Sequence, residues 1–173
     1  NEIAPQTVRT LGERHANLLM LKDTSGEDRV ADSGLDSLFL VRGAEGGYSR
    51  HLKLGGGRYD GFLLSTANGF GPQLAELIEH LRDGQQAKAD ALSARLEAAV
   101  NEVFAAAAPL PYGNAFTNAS TAIDHFMAHG PGARAVTPPR LHSGERLPAE
   151  LIATTSTALE RNDLLPARGY LND

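Results

Sequence analysis

The chain has 173 residues, of which 42% are hydrophobic and 21% charged, and this ordinary composition argues against disorder. A formal net charge of −5 argues against binding nucleic acid through phosphate contacts. The absence of cysteine excludes disulfides, thiolate nucleophiles, zinc ribbons and iron–sulfur clusters. No apolar run approaches the ~18 residues of a membrane span, and no signal-peptide pattern is visible. We therefore expect a cytoplasmic protein that binds neither membranes nor nucleic acid.

The first two-thirds of the chain alternates helical patterns with three short apolar segments. These segments are residues 18–21, 38–41 and 62–64. Segments this short, and apolar on both faces, are typical of buried parallel strands. An early proline and the spacing of Val8 and Leu11 predict a helix over Pro5–Arg14. A second helix is predicted to begin at Gly71 and Pro72 and to end at Gly84.

The last third is predicted to be helical. Residues 85–107 are rich in alanine and carry an apolar stripe, formed by Leu92, Leu96, Val100 and Val103. Two further helices are predicted over residues 114–129 and 148–162, joined by a segment rich in glycine and proline. We therefore divide the chain into βα units over residues 1–84 and a helical extension over residues 85–173.

Three strands are too few to close a barrel, since a complete (β/α)₈ barrel takes roughly 250 residues. Either the chain is a minimal three-stranded sheet with a helical cap, or it is the C-terminal part of a larger protein. The first residue is Asn1 rather than methionine, which favours the second interpretation.

Lys22 is the first candidate for chemistry, because it ends the first apolar segment. The carboxyl ends of strands are where the sites of βα barrels are built. Burial disfavours the charged ammonium form of a lysine, and a neutral lysine is a nucleophile toward carbonyl carbons. The alternative is a lysine that leaves the strand to pair with Asp23 or to face solvent.

Two other strand ends carry polar groups that should lie at the same edge of the sheet. Glu45 lies within a glycine-rich turn after the second segment, and Ser65, Thr66 and Asn68 follow the third. If the strands are neighbours, these groups converge on one pocket. The alternative is that glycine and serine are simply common in turns.

Other motifs are weaker. His125 and His129 are spaced one helical turn apart, but no third ligand can be assigned, so we interpret them as a surface pair and not as a metal site. The glycine-rich residues 55–61 depart from the dinucleotide-binding pattern and precede a strand instead of a helix.

Taken in order, these segments resemble the C-terminal half of the dihydrodipicolinate synthase / N-acetylneuraminate lyase family. Its members are TIM (β/α)₈ barrels with a helical C-terminal extension. Residues 22–26, Lys-Asp-Thr-Ser-Gly, resemble the end of strand six with its Schiff-base lysine. Residues 43–45 resemble the turn after strand seven, and residues 61–68 resemble strand eight. Residues 83–111 resemble the start of the extension. The fold implied is α/β, with strands six to eight of the barrel followed by the helical extension.

The resemblance implies a class I aldolase mechanism. Lys22 would attack the ketone of pyruvate or another 2-oxo acid, and the resulting Schiff base would allow a carbon–carbon bond to be made or broken. Members of this kind need no metal or organic cofactor. By position, Thr24, Gly43 and the backbone around Leu63 would flank the pyruvyl part of the substrate. Glu45 and Ser65 would face its variable part.

Several features of the family have no counterpart in this sequence, namely the tyrosine of strand five and the threonine pair that binds the pyruvate carboxylate. We therefore expect this chain alone to be inactive, and to need the N-terminal half of the barrel as its partner within a homo-oligomer, a dimer or tetramer. Arg42 stands where many members have a small residue, and Gly46 where many have a second acid. These departures leave open a 2-keto-3-deoxy sugar-acid aldolase or dehydratase. A non-catalytic half-barrel binding or scaffolding module is the alternative from another class.

Overall fold

Three short strands form the centre of the α/β fold in the computed structural model, which describes residues 3–34 and 37–171. They are β1 Met20–Asp23, β2 Phe39–Arg42 and β3 Gly61–Phe62. The strands are parallel and lie in the order β1-β2-β3, with Lys22 opposite Val41 and Val41 opposite Gly61. The parallel arrangement agrees with the sequence prediction and is compatible with part of a TIM barrel.

The two faces of the sheet differ in exposure. Leu40 points to one face and packs with Val8 of helix α1 (Pro5–Arg14) in a small apolar cluster. On the opposite face Met20 and Phe39 are neighbours in register, and they are 53% and 50% exposed. The expectation that the strands are buried on both faces is therefore wrong for Met20 and Phe39, whereas Val41, on the same face as Phe39, is buried.

Helix α1 has the bounds predicted from its proline and apolar spacing, but the helix after β3 begins earlier than predicted. Between them lie a short α-helix, α2 Tyr48–His51, and two 3-10 helices, Arg29–Asp32 and Lys53–Gly55. Helix α3 runs over Ala67–Arg82, and its backbone leaves helical geometry at Phe70. Pro72 causes this kink, because a proline inside a helix lacks the amide proton and its ring crowds the preceding turn. The sequence analysis took the kink for the start of the helix.

The last part of the described chain is helical, as predicted. Its helices are α4 Gln86–Ala107, α5 Ala115–His129 and α6 Ala149–Arg161. Helix α5 begins where the Asn114 side chain accepts a hydrogen bond from the amide of Thr117 at 2.9 Å, which caps the helix. The predicted stripe on α4 is buried against α3, α5 and α6 in the larger of two apolar cores.

Helix α4 also contacts α2, which follows β2. The extension therefore packs directly behind a loop at the carboxyl ends of the strands. The division of the chain at residue 84 stays a prediction. Among the described residues, no helix is both long enough and apolar enough to cross a membrane.

Candidate active site

Lys22 is the third residue of β1, and its side chain is exposed. The expectation of a buried lysine is therefore wrong for this chain. Lys22 instead faces solvent, which was the stated alternative. An open cavity of about 560 Å³ lies along β1, and Lys22, Thr24 and Ser25 contribute to its wall. The ammonium group is accessible to a small molecule.

Gly43 lies directly against Lys22 and Thr24. A Cβ atom added at Gly43 would overlap Cε of Lys22 and would lie 2.6 Å from Oγ1 of Thr24. The amide of Gly43 donates to the carbonyl of Asp23 at 2.6 Å, which extends the pairing of β1 and β2 beyond the strands. A glycine at this position thus lets the lysine stem and the threonine hydroxyl share one small space.

Glu45 forms a second group of contacts at the ends of β2 and β3. Its Oε1 accepts hydrogen bonds from Oγ of Ser65 at 3.2 Å and from the amide of Thr66 at 3.3 Å. Its Oε2 accepts from Oγ1 of Thr66 at 2.7 Å and from the hydroxyl of Tyr48 at 2.9 Å. The carboxylate therefore joins the loops after β2 and β3, and a substrate would contact it only by replacing one of these donors.

The remaining predicted positions lie at the end of β3. The amide of Leu63 donates to the carbonyl of Arg42 at 3.0 Å, and the Leu63 side chain is half exposed. Nδ2 of Asn68 donates to the carbonyl of Ser65 at 3.0 Å. The structure thus brings Lys22 and Gly43 together with Thr24, and it brings Glu45 together with Ser65.

Sequence reasoning missed Tyr48, whose side chain is 1% exposed and whose hydroxyl bonds Glu45. Burial, and then the negative charge of Glu45, raise the pKa of the Tyr48 hydroxyl above its usual value. Tyr48 remains a hydrogen-bond donor throughout the neutral range. Its position three residues after Glu45, at the start of a short helix, was a signal that could have found it.

Sequence reasoning also missed an ionic pair beneath the strand ends. The Arg42 side chain is buried and forms two hydrogen bonds with Asp28, from Nε at 2.8 Å and from Nη2 at 3.1 Å. Although burial opposes it, bonding from Arg42 and Tyr59 holds the pKa of Asp28 below its usual value. Arg42 is thus engaged with Asp28, and what its presence implies about the substrate stays a prediction.

Helix α4 supports the loop after β2. Glu97 accepts from the amide of Gly47 at 2.9 Å, and Asp90 accepts from the hydroxyl of Ser49 at 2.6 Å. Gly46 has a φ of +84°, and a Cβ atom there would lie 3.2 Å from the Glu97 carboxylate. A second acid at position 46 would therefore be strained and would face a like charge.

The two histidines of α5 lie away from this site. His125 is buried, with Nε2 2.9 Å from the carbonyl of Ala133, and its ring lies 5.1 Å from that of His129. Burial is the main cause that lowers the pKa of His125. The interpretation of both histidines as a surface pair is wrong for His125, because α5 faces the segment Gly130–Ala135.

Comparison with known proteins gives one family. The model of the Dihydrodipicolinate synthetase family matches residues 1–121, from α1 into α5. The match includes all three strands and every predicted site residue. No individual curated protein matches the chain significantly.

Proposed function

Because the chain belongs to the dihydrodipicolinate synthetase family of Schiff-base lyases and aldolases, we propose that Lys22 is the imine-forming residue of the intact protein. The substrate is pyruvate or another 2-oxo acid, and the reaction makes or breaks a carbon–carbon bond, as in dihydrodipicolinate synthase. The observation that carries this proposal is the contact of Gly43 with Lys22 and Thr24. It places an accessible lysine directly beside a hydroxyl.

The proposed reaction begins at the amine nitrogen of Lys22. Nζ of Lys22 forms a bond to C2 of the 2-oxo acid, and the carbonyl oxygen leaves as water, so that a C=N bond replaces C=O. When a proton leaves C3, its electron pair moves toward the positively charged nitrogen and gives an enamine. C3 of the enamine then bonds to the carbonyl carbon of an aldehyde or to an imine, and the reverse sequence cleaves that bond.

The other residues bind and orient the substrate in this proposal. Thr24 and the backbone near Gly43 and Leu63 flank the pyruvyl part. Ser65 faces the variable part, and Glu45 fixes the orientation of Ser65 through the hydrogen bond at 3.2 Å. Because Glu45 is already bonded by protein donors, and Tyr48 and Thr66 are buried, the hydroxyl oxygen of Ser65 is left to accept a hydrogen bond at this end of the site. This observation favours a hydroxylated 2-oxo acid, as in a 2-keto-3-deoxy sugar-acid aldolase or dehydratase, as the second candidate.

The test is to trap the imine with borohydride in the presence of pyruvate and to measure the intact mass of the protein. The sequence has three lysines, Lys22, Lys53 and Lys88, so each can be replaced by arginine in turn. We expect an adduct in the Lys53→Arg and Lys88→Arg variants and none in Lys22→Arg. Lys53 is a suitable control because it also lies near the sheet, paired with Asp60.

Two outcomes would contradict the proposal. An adduct that persists in Lys22→Arg would place the imine elsewhere. An intact wild-type protein without any adduct would favour a non-catalytic half-barrel binding module. An adduct on the 173-residue chain alone would instead contradict the expectation that this chain is inactive by itself.

A further inference from the structure

Two carboxylates meet at one tyrosine hydroxyl below the Lys22 strand end. Tyr59 is 1% exposed, and its hydroxyl lies 2.7 Å from Oδ2 of Asp23 and 2.9 Å from Oδ1 of Asp28. Burial, and then the hydrogen bonds to these two residues, raise the pKa of Tyr59 above its usual value. The hydroxyl therefore keeps its single proton, which it can donate to either carboxylate, and it lies between the two ends of the loop after β1.

Tyr59 is fixed in place by its own backbone. Its amide donates to the carbonyl of His51 at 3.0 Å, and its carbonyl accepts from the amide of Lys53 at 2.8 Å. An isolated parallel bridge also joins Tyr59 to Leu52. The position of the hydroxyl is thus set by residues 51–59 and not by the loop that it contacts.

The loop after β1 is attached to this fixed point at both ends. At the first end, Oδ1 of Asp23 accepts from the amide of Ser25 at 2.9 Å and from its hydroxyl at 2.7 Å, which shapes the turn that contains Thr24. At the second end, Asp28 has a φ of +58° and is held by Arg42. A left-handed conformation is uncommon for a residue other than glycine, so this end depends on its side-chain contacts.

We propose that Tyr59 is a positioning residue for the substrate pocket: by joining Asp23 to Asp28 it holds Thr24 against Gly43, beside Lys22. This inference rests on the proposed function. Lys22 itself is placed by its pairing with Val41 in the sheet, so its approach to a carbonyl carbon does not depend on Tyr59. Loss of the hydroxyl should therefore weaken the binding of pyruvate and leave the limiting rate of imine formation nearly unchanged.

The variant Tyr59→Phe removes only the hydroxyl. We expect the pyruvate concentration that half-saturates borohydride trapping to rise about fivefold, with the limiting rate within about twofold of the wild type. We also expect faster hydrogen exchange at the amides of residues 24–28, with no change in α4. The matched control is Tyr112→Phe, which removes a hydroxyl that donates to the carbonyl of Arg146 at 3.1 Å in the helical part. This control should change neither the half-saturating pyruvate concentration nor the hydrogen exchange at residues 24–28.

Unchanged half-saturation together with unchanged exchange in Tyr59→Phe would overturn the inference. A fall in the limiting rate of imine formation alone would also overturn the inference. Such a fall is what a smaller folded fraction produces, since unfolding part of the sample does not change the half-saturating pyruvate concentration. If the wild type traps no pyruvate, the proposed function fails, and the exchange of residues 24–28 still decides whether Tyr59 positions this loop. If α4 also exchanges faster, the comparison is repeated at a lower temperature at which α4 exchanges as in the wild type, and the same rise in half-saturation is expected.

Discussion

At the scale of single residues, Gly43 leaves room beside it for the side chains of Lys22 and Thr24. Its backbone does not need a positive φ, so the requirement for glycine comes from space and not from conformation. Lys22 and Thr24 occupy the volume that a Cβ atom would take. Contact with Gly43 and Thr24 therefore limits the orientations of the Lys22 side chain, although that side chain is exposed.

The variant Gly43→Ala tests this contact. We expect pyruvate trapping at Lys22 to slow by about 10- to 100-fold, because the new methyl group displaces the lysine stem. Gly61→Ala is the matched control on the next strand, since its Cβ atom would lie 3.9 Å from Val41, an ordinary contact distance. Equal trapping rates in the two variants, measured by intact mass over time, would show that Gly43 does not orient the lysine.

At the scale of secondary-structure elements, α4 does more than fill a core. Its inner stripe packs against α3, α5 and α6, while Glu97, Ser93 and Asp90 hold the loop after β2. That loop carries Glu45 and begins α2. The helical part of the chain thus acts on the site through backbone amides of the loop.

The variant Glu97→Ala tests this support. It leaves the buried amide of Gly47 without its acceptor, so we expect a loss of about 1–3 kcal/mol in the free energy of unfolding. The control on the same helix is Glu102→Ala, which breaks an exposed pair with Arg161 and should cost about 1 kcal/mol or less. Denaturant titration measures both, and equal losses would show that Glu97 is an ordinary surface acid.

The elements that were predicted well are those whose signals are local. Helices α1, α4 and α6 lie within one residue of their predicted bounds, because proline, glycine and apolar spacing mark them directly. The predicted start at Gly71 and Pro72 coincides with the second part of α3, after the break at Phe70, and the short first part from Ala67 was missed. The predicted burial is confirmed for β2 except at Phe39, but it is wrong for Met20 and Lys22 of β1, because burial depends on what covers the sheet, which no local pattern contains.

The same distinction applies to the candidate site. The expectation that polar groups gather at one edge was accessible from the sequence, because strand ends in a parallel sheet meet there, whereas the choice of Thr24 and Gly43 beside Lys22 came from the resemblance to the family. The link from Tyr59 to Asp23 was not, since it joins residues 36 positions apart through a buried hydroxyl. The substrate roles of these residues stay predictions.

At the scale of the whole molecule, the described residues form two apolar cores of unequal size. The smaller core lies between α1 and the sheet, and the larger one lies among the helices. Arg42 connects the two regions, since it bonds Asp28 in the loop after β1 and also donates to the carbonyls of Ala44 and Gly46. The global stability of the chain should therefore reflect the charge of Asp28.

The pH dependence of unfolding tests this connection. The pKa of Asp28 is lowered in the folded chain, so its charge stabilises the fold above its unfolded value of 3.8, and that contribution disappears as the pH falls through the lower folded value. We expect Asp28→Asn to lose about 1–3 kcal/mol near pH 6 and less near pH 3. Denaturant titration at both values measures the difference.

Asp163→Asn is the matched control for this prediction. Asp163 also has a positive φ, 53°, and also bonds an arginine, Arg95, but its side chain is 91% exposed. We expect its replacement to change stability by about 0.5 kcal/mol or less at either pH. A loss in Asp28→Asn that does not shrink at low pH would show that the charge of Asp28 is not what stabilises the fold.

The contact between Gly43 and Lys22 has a consequence for how related sequences can diverge. A side chain gained at position 43 would push the flexible lysine stem and the Thr24 hydroxyl away from their present places. Loss of the glycine would therefore disturb the arrangement of these two side chains without disturbing the fold. A descendant that had given up the lysine would be released from the glycine, and position 43 would then drift while the surrounding fold persisted.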